Sequence, residues 1–299
     1  MRSIGILLAL LLVSTPALAE NGLQRFEREL KPQLQFEKLS YGGADALGDQ
    51  GFVLKDVVAV VPATPETDNK PTTIKIDKVI VEAIDFDRFA ARRQDRLPRF
   101  VKMKLEGVTG DESAYGAVAA YGVPNAPADL ALDYKLDAGA QRLSVDKLEI
   151  GLRGLGRVEL SFVVDGVSDR TEEMDKAKDK SRLQSAALTI DDKGLLAELL
   201  LANAKGQGNK PEDLVALTLL TLSSLAASQD AESMKAFDSV ASFISDWRAP
   251  KGPITVTVRP AAGASFADVG SLMMPNALRD VLGLKVTYTG TREGAAATK

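Results

Sequence analysis

Apolar and polar residues alternate along most of residues 33–190, which is the pattern of half-buried β-strands. The most regular alternation occurs at Leu130, Leu132, Tyr134 and Leu136. The run Val53 to Val61 is denser in apolar residues, and residues 254–258 and 284–288 repeat the alternation near the end of the chain. The pattern predicts antiparallel strands that each turn one apolar face inward.

The stretch LEIGLRGLGRVELSF predicts a β-hairpin whose turn centres on Leu155, between two glycines. The predicted cross-strand pairs are Leu152 with Val158, Ile150 with Leu160, and Leu148 with Phe162. All six side chains would then lie on one face of the sheet. Just upstream, Asp146 and Lys147 interrupt the phase of the alternation, which predicts a β-bulge that bends the sheet.

A helical pattern replaces the strand pattern in about residues 193–250. Asp191 or Asp192 would cap the first helix, KGLLAELLLANAKG. Pro211 would begin the second, PEDLVALTLLTLSSLAAS, and a third would run from about Ala231 to Trp247. The leucines of the second helix surround its axis, so we expect it to be covered on several sides.

Two similar segments predict an internal duplication: VPNAPADL at Val123–Leu130 and MPNALRDV at Met274–Val281. A strand pattern and a capped helix precede each copy in the same order. The units would be residues 20–130 and 131–290, with a helical insertion at about 193–250 in the second. The alternative explanation is that alternating strands resemble one another by composition alone.

The predicted fold class is therefore α+β. It consists of two tandem copies of an antiparallel meander-plus-helix unit, which form bent sheets packed on helices, with a Leu-rich helical insertion in the second copy.

Residues 1–19 have the organisation of a secretory signal peptide: a positive charge, a short apolar core at 4–13 and an A-x-A site at 17–19. Cleavage before Glu20 would place the mature chain in the periplasm. An uncleaved anchor is the alternative, although the apolar core is short for spanning a membrane. We expect no transmembrane anchor in the mature chain and a disordered tail at 291–299.

The composition excludes several chemistries. The 299 residues contain no Cys and no His, which removes disulfides, thiol nucleophiles, Ser-His-Asp catalysis and His-ligated zinc. A net charge of −4 argues against binding nucleic acid. We predict no catalytic residue, metal or cofactor, and a carboxylate-based hydrolase is the remaining enzymatic alternative. Asp85 and Asp87 form a D-x-D pattern, but a position between strand and helix favours helix capping over metal binding.

Two groups of side chains are candidate ligand contacts. An arginine cluster would suit an anionic headgroup, or would be a solvated helix face; it comprises Arg88, Arg92, Arg93, Arg96 and Arg99. A leucine group could line a groove for acyl chains, or could be ordinary core; it comprises Leu195, Leu196, Leu199, Leu200, Leu214, Leu217, Leu220 and Leu222.

The stretches LDYKLDAGAQRLSVDKLEIGLRGLGRVELSF and LTIDDKGLLAELL resemble uncharacterised periplasmic β-rich proteins related to the YdgA and AsmA-like groups. The resemblance to AsmA-like proteins implies a role in envelope lipid homeostasis. Those proteins are usually anchored in the membrane, whereas we expect no anchor in the mature chain of this protein. The leading hypothesis is a non-enzymatic envelope protein that binds or carries a lipid-like apolar ligand. The alternative is a periplasmic scaffold that docks an envelope protein. The pattern indicates no oligomeric state.

Overall fold

The computed structural model describes residues 20–64, 70–89, 95–111, 115, 119, 122–173, 180–265 and 280–290. Within this part of the chain, eleven strands form one antiparallel sheet. The strands are β1 (Lys38–Ser40), β2 (Gly43–Leu47), β3 (Gly51–Val61), β4 (Thr72–Ile84), β5 (Phe100–Gly110), β6 (Ala128–Asp137), β7 (Arg142–Leu152), β8 (Gly156–Asp165), β9 (Arg182–Asp192), β10 (Ile254–Val258) and β11 (Lys285–Tyr288). From β3 to β11 every strand pairs with the next along the chain, and β1 and β2 both pair with β3.

Short helical segments precede the sheet or connect its strands, and three longer helices connect β9 to β10. They are α1 (Gly22–Arg25), which continues as a π-helical turn (Phe26–Leu30) and a 3-10 turn (Lys31–Gln33), α2 (Phe86–Phe89), a 3-10 turn (Thr171–Glu173), α3 (Leu195–Gln207), α4 (Pro211–Ala226) and α5 (Ala231–Ser245). Asp192 accepts hydrogen bonds from the backbone of Gly194 and Leu196, so it satisfies the first turn of α3 as predicted.

The strand register places two unbroken rows of apolar side chains across β3 to β11, one residue per strand. The first row is Phe52, Val81, Met103, Leu132, Leu148, Leu160, Leu188, Val256 and Val286. The second is Leu54, Val79, Leu105, Leu130, Ile150, Val158, Ile190, Ile254 and Tyr288. In each strand the two residues are two positions apart, so both rows lie on the same face of the sheet. We call this the apolar face.

Helices cover the two ends of the apolar face. At the β3 end, Phe26 stacks on Phe52 with ring centroids 4.4 Å apart, in a buried cluster that includes Phe86. A side chain at Gly22 would clash with the backbone of Gly51, so this glycine allows α1 to lie directly on the sheet. The β11 end is covered by α5, since Phe243 makes an edge contact with Tyr288 at 5.4 Å.

The predicted duplication is wrong as an architecture. The proposed boundary between residues 130 and 131 falls inside β6, which pairs with β5 on one side and β7 on the other. One continuous sheet replaces two bent sheets packed on helices. The Pro-Asn-Ala part of the first copy is an extended loop before β6, and Met274 to Leu278 of the second lie outside the described residues, as do residues 1–19 and 291–299.

Three local predictions had different outcomes. The bulge is confirmed, because Val145 and Leu148 pair with Phe162 and Leu160, which leaves two residues opposite one. The hairpin register differs from the prediction by two positions, since Ile150 pairs with Val158. A shift of two keeps every side chain on its face, so the predicted face is still right. The prediction that the second helix, α4, is covered on several sides is wrong, because two of its leucines are 62% and 66% exposed.

Candidate ligand-binding site

The middle of the apolar face, on β6 to β8, is open. Ile150 is 53% exposed and Leu148 is 39% exposed, although both lie near the centre of an eleven-stranded sheet. Their neighbours on the same face are half-buried. We call these residues the apolar strip; it comprises Leu130, Leu148, Ile150, Val158 and Leu160. A contiguous exposed apolar surface of this kind marks a binding site in many proteins.

A cavity of about 260 Å³ lies at the β11 end of the same face. It is lined by Leu222 of α4, by Ser233, Ala236, Phe237 and Val240 of α5, and by Val256, Leu284 and Val286 of the sheet. Val256 and Val286 belong to the same row as Leu148 and Leu160 of the strip. The floor of the cavity therefore continues the apolar face beneath α5.

One polar group lies in this apolar cavity. Ser233 is 6% exposed, and its Oγ makes no hydrogen bond within the described residues. Its backbone N–H donates to Asp230 Oδ1, which caps α5. Buried hydroxyls are nearly always hydrogen-bonded. Thr72 Oγ1 is another buried hydroxyl without a partner in the described residues, but of the two only Ser233 lines the cavity.

A second space of about 500 Å³ adjoins the cavity at the edge strand β11 and shares Ala236, Leu284 and Val286 with it. Charged side chains line this second space. Glu232 and Lys235 pair with each other at 2.6 Å. Lys285 is exposed and makes no ion pair within the described part of the chain.

The structure separates the predicted leucine group. Leu222 lines the cavity, and Leu196 packs against the buried cluster beneath α5. Leu217 and Leu220 point to solvent from α4. The other members are half-buried on α3 and α4: Leu195, Leu199, Leu200 and Leu214. Sequence reasoning placed Leu148 and Ile150 on one face but did not single them out as exposed, because alternation does not show which part of a face is covered.

The described members of the arginine cluster bind carboxylates of the protein itself. Arg88 lies 2.9 Å from Asp169, with both side chains largely buried, and Arg96 lies 3.5 Å from the same carboxylate. The hydrogen bond from Arg88 keeps the pKa of Asp169 below its usual value, although partial burial opposes this. Arg92 and Arg93 lie outside the described residues. No anionic headgroup is needed to explain the three described arginines.

Asp85 of the D-x-D pattern binds Arg99. Its two oxygens accept Arg99 Nε at 2.6 Å, Nη2 at 2.8 Å and the backbone N–H at 3.0 Å. Burial would raise the pKa of Asp85, but the hydrogen bonds and charge of Arg99 outweigh it, so the pKa lies below the usual value. Within the described residues, the Asp85 carboxylate accepts from Arg99 and not from the first turn of α2. Among the described residues, no group of three or more metal-ligating side chains surrounds this pair.

The opposite face of the sheet holds a charged cleft of about 330 Å³ near the β7–β8 turn. Asp129 accepts hydrogen bonds from Arg153 and from the backbone of Gly107, which keep its pKa below the usual value despite partial burial. Glu149 is buried beside Lys147 at 2.8 Å. Asp129, the aspartate of the first Pro-Asn-Ala segment, therefore ties β5, β6 and the turn together.

The fold and the site define a β-sheet protein with one apolar face that is open in the middle. A family model described as an uncharacterized protein matches residues 149–289, from within β7 to just beyond β11. That range includes α3 to α5 and the whole cavity. No curated protein matches the chain. The resemblance to the YdgA and AsmA-like groups stays a prediction.

Proposed function

We propose that the protein binds an elongated apolar ligand of the lipid class along the apolar face. The observation that carries this proposal is the open apolar strip, which lies between two helix-covered ends of one face. Ile150 is 53% exposed. Covering its apolar surface with an acyl chain would contribute a favourable free energy of about 25 cal/mol for each Å² removed from water. We assign no catalytic group, and the proposed role is that of a binding or carrier protein.

The cavity beneath α5 supports the same proposal. It extends the apolar face under a helix, and a ligand with a flexible chain can follow such a continuous surface. The expected export to the periplasm, which rests on residues 1–19, would place this surface beside the lipids of the cell envelope. Within the described residues no helix is long and apolar enough to cross a membrane.

Native mass spectrometry and lipid extraction of the protein purified from the periplasm test the proposal directly. We expect a reproducible lipid to co-purify, and a fluorescent apolar dye such as Nile red to bind the stripped protein in competition with it. Leu148→Gln combined with Ile150→Gln should weaken dye binding roughly tenfold, because two apolar contacts are lost.

The matched control is Leu47→Gln. Leu47 is 43% exposed on β2 and Leu148 is 39% exposed, so Leu47→Gln is matched to the single change Leu148→Gln, which removes a similar exposed apolar surface at a different place. Equal loss of dye binding in both variants would show that the strip is not the site. A protein that purifies without lipid and binds no apolar dye would refute the proposal.

A protein-docking role is the second candidate, and the exposed leucines of α4 favour it. Leu217, Leu220 and Leu225 are 62%, 66% and 52% exposed. Leu217 and Leu220 are more exposed than any residue of the strip, and helices with such exposed apolar residues pack against other helices. In the same mass spectrum, a stable complex with an envelope protein and no bound lipid would favour this role. Loss of that complex on Leu217→Gln and Leu220→Gln would assign it to α4.

A further inference from the structure

The cavity beneath α5 differs chemically between its two ends. The residues that α5 contributes follow one helical stripe, because Ser233, Ala236, Phe237 and Val240 are three or four positions apart. With a rise of about 1.5 Å per residue, Ser233 and Val240 are about 10 Å apart along the helix axis. Among the described residues, Ser233 contributes the only polar side chain of the lining. The cavity is thus long, polar at one end and apolar at the other.

Ser233 indicates a polar ligand atom at its end of the cavity. Its Oγ is buried and makes no hydrogen bond within the described residues, although the rest of its surroundings are apolar. Hydroxyls in such positions are almost always paired, because an unpaired polar group is unfavourable away from water. An oxygen of a bound ligand could accept the hydrogen bond that Ser233 can donate.

The charges at this end favour a negative ligand group. The adjoining space is lined by Lys235 and Lys285 and by one acid, Glu232. Lys235 hydrogen-bonds Glu232, so these two charges match each other, whereas Lys285 makes no ion pair within the described residues. Lys285 follows the opposite face of β11 from Val286, and it lines this space because β11 is the edge strand, round which its long side chain can turn. The positive end of the α5 helix dipole is already capped by Asp230, which accepts the backbone N–H of Ser233, so Lys285 is the cation left to pair with a ligand group.

We infer that the cavity binds a single-chain amphiphile with an anionic headgroup. The chain lies between α5 and β10–β11 and ends near Val240, while a carboxylate or phosphate lies at Ser233 and Lys285. This inference rests on the proposed function and names the ligand class for the helix-covered β11 end of the apolar face, which shares no lining residue with the open strip. The volume of about 260 Å³ lies just below the range typical of drug-sized ligands, about 300–1,000 Å³, which favours one chain over two.

Calorimetric titration of the full chain with four compounds of equal chain length tests the inference: dodecanoate, dodecyl phosphate, dodecanol and dodecyltrimethylammonium. We expect an anion to bind roughly tenfold more tightly than the alcohol, which corresponds to one charge-assisted hydrogen bond. The cation should bind more weakly than the alcohol. A preference between the two anions would distinguish a fatty-acid ligand from a phosphate-bearing one.

Three variants locate the two ends of the ligand. Lys285→Gln should remove the preference for the anions over the alcohol and leave alcohol binding unchanged, because Lys285 is exposed and outside the apolar lining. Ser233→Ala should weaken all ligands whose headgroup accepts a hydrogen bond. Val240→Trp should fill the apolar end and abolish binding of all four compounds.

Two controls are matched to these changes. Lys75→Gln removes an exposed lysine on β4 that, like Lys285, makes no ion pair within the described residues. Met234→Trp places the same indole at the 41% exposed Met234 of α5. Neither should alter binding. Should Val240→Trp fail to fold, the surface variant Lys285→Gln still decides the result. Equal affinity for anions and alcohol, or an unchanged preference in Lys285→Gln, would overturn the inference. If the dye assay at Leu148 and Ile150 still succeeds, only the ligand class is wrong; if the dye also fails to bind, the proposed function falls with it.

Discussion

The ion pair between Asp85 and Arg99 gives a direct test of what holds the β4–α2 corner to β5. Asp85 is 2% exposed and accepts three hydrogen bonds from one residue, Arg99. In Asp85→Asn an amide nitrogen replaces one oxygen and faces the donors of Arg99. We expect the variant to fold and to lose stability.

The size of the loss follows from the exposure of the two partners. Breaking a fully buried ion pair costs about 3–5 kcal/mol, and one hydrogen bond to a charged group contributes about 1.5–3 kcal/mol. The Arg99 side chain is 46% exposed, so water can solvate it after the change. We therefore expect Asp85→Asn to lower the free energy of unfolding by about 2 kcal/mol, measured by urea denaturation with circular dichroism.

The pH dependence supplies a second readout with a defined sign. The pKa of Asp85 is lower in the folded state than its ordinary value. A lowered carboxyl pKa stabilises the fold above the unfolded value, about 3.9, and this stabilisation is lost as the pH falls through the folded value. The difference in stability between wild type and Asp85→Asn should be constant from neutral pH to about pH 5 and should shrink below about pH 4.

Asp165→Asn is the matched control. Asp165 accepts Arg142 Nε at 2.6 Å and Nη2 at 3.0 Å, the same two-point geometry, but at the surface. Solvent screens this pair, so the loss of stability should be much smaller than for Asp85. Two results would refute the reasoning from burial. One is an equal loss of unfolding free energy in Asp85→Asn and Asp165→Asn; the other is a stability difference between wild type and Asp85→Asn that does not shrink in acid.

Three further predictions concern the core and its charges. Phe52→Ala, at 2% exposure, should lower the free energy of unfolding by about 3–5 kcal/mol, whereas Leu47→Ala, at an exposed site, should change it little. Asp169→Asn should cost about 3 kcal/mol in urea denaturation, because it leaves Arg88, with a side chain 10% exposed, without its charged partner. Burial, helped by the charge of Asp85, raises the pKa of Tyr134 to about 12, and burial also raises the pKa of Tyr288. Absorbance titration should therefore show a late tyrosine component that becomes smaller in Tyr134→Phe.

The open strip also has a structural consequence. An apolar surface in the middle of a sheet favours association between molecules unless a ligand or a partner covers it. The protein covers the two ends of the face with its own helices, and it leaves Leu148 and Ile150 exposed between them. A bound chain would reduce that exposure without closing the sheet. Ligand removal should therefore promote self-association, which light scattering can follow.

Much of the local structure could be predicted from the sequence. Period-two alternation assigns each strand residue to a face, so Leu148, Ile150 and Val158 were placed together even though the predicted hairpin register was off by two positions. The bulge at Asp146 and the cap at Asp192 were also predicted, because a phase change and a short acid before a helix are local signals.

Only the tertiary structure decided which strands pair, and which parts of the apolar face are covered. Both halves of the chain carry the same alternation, so the sequence by itself allowed two sheets, whereas β6 joins them into one. The exposure of Ile150 and the partners of Arg88 and Arg99 depend on segments far apart in the chain. The direction of a side chain is a local property of its strand, so the sequence pattern contains it. Burial by a helix and ion pairing depend on contacts between segments far apart in the chain, so the sequence pattern does not contain them.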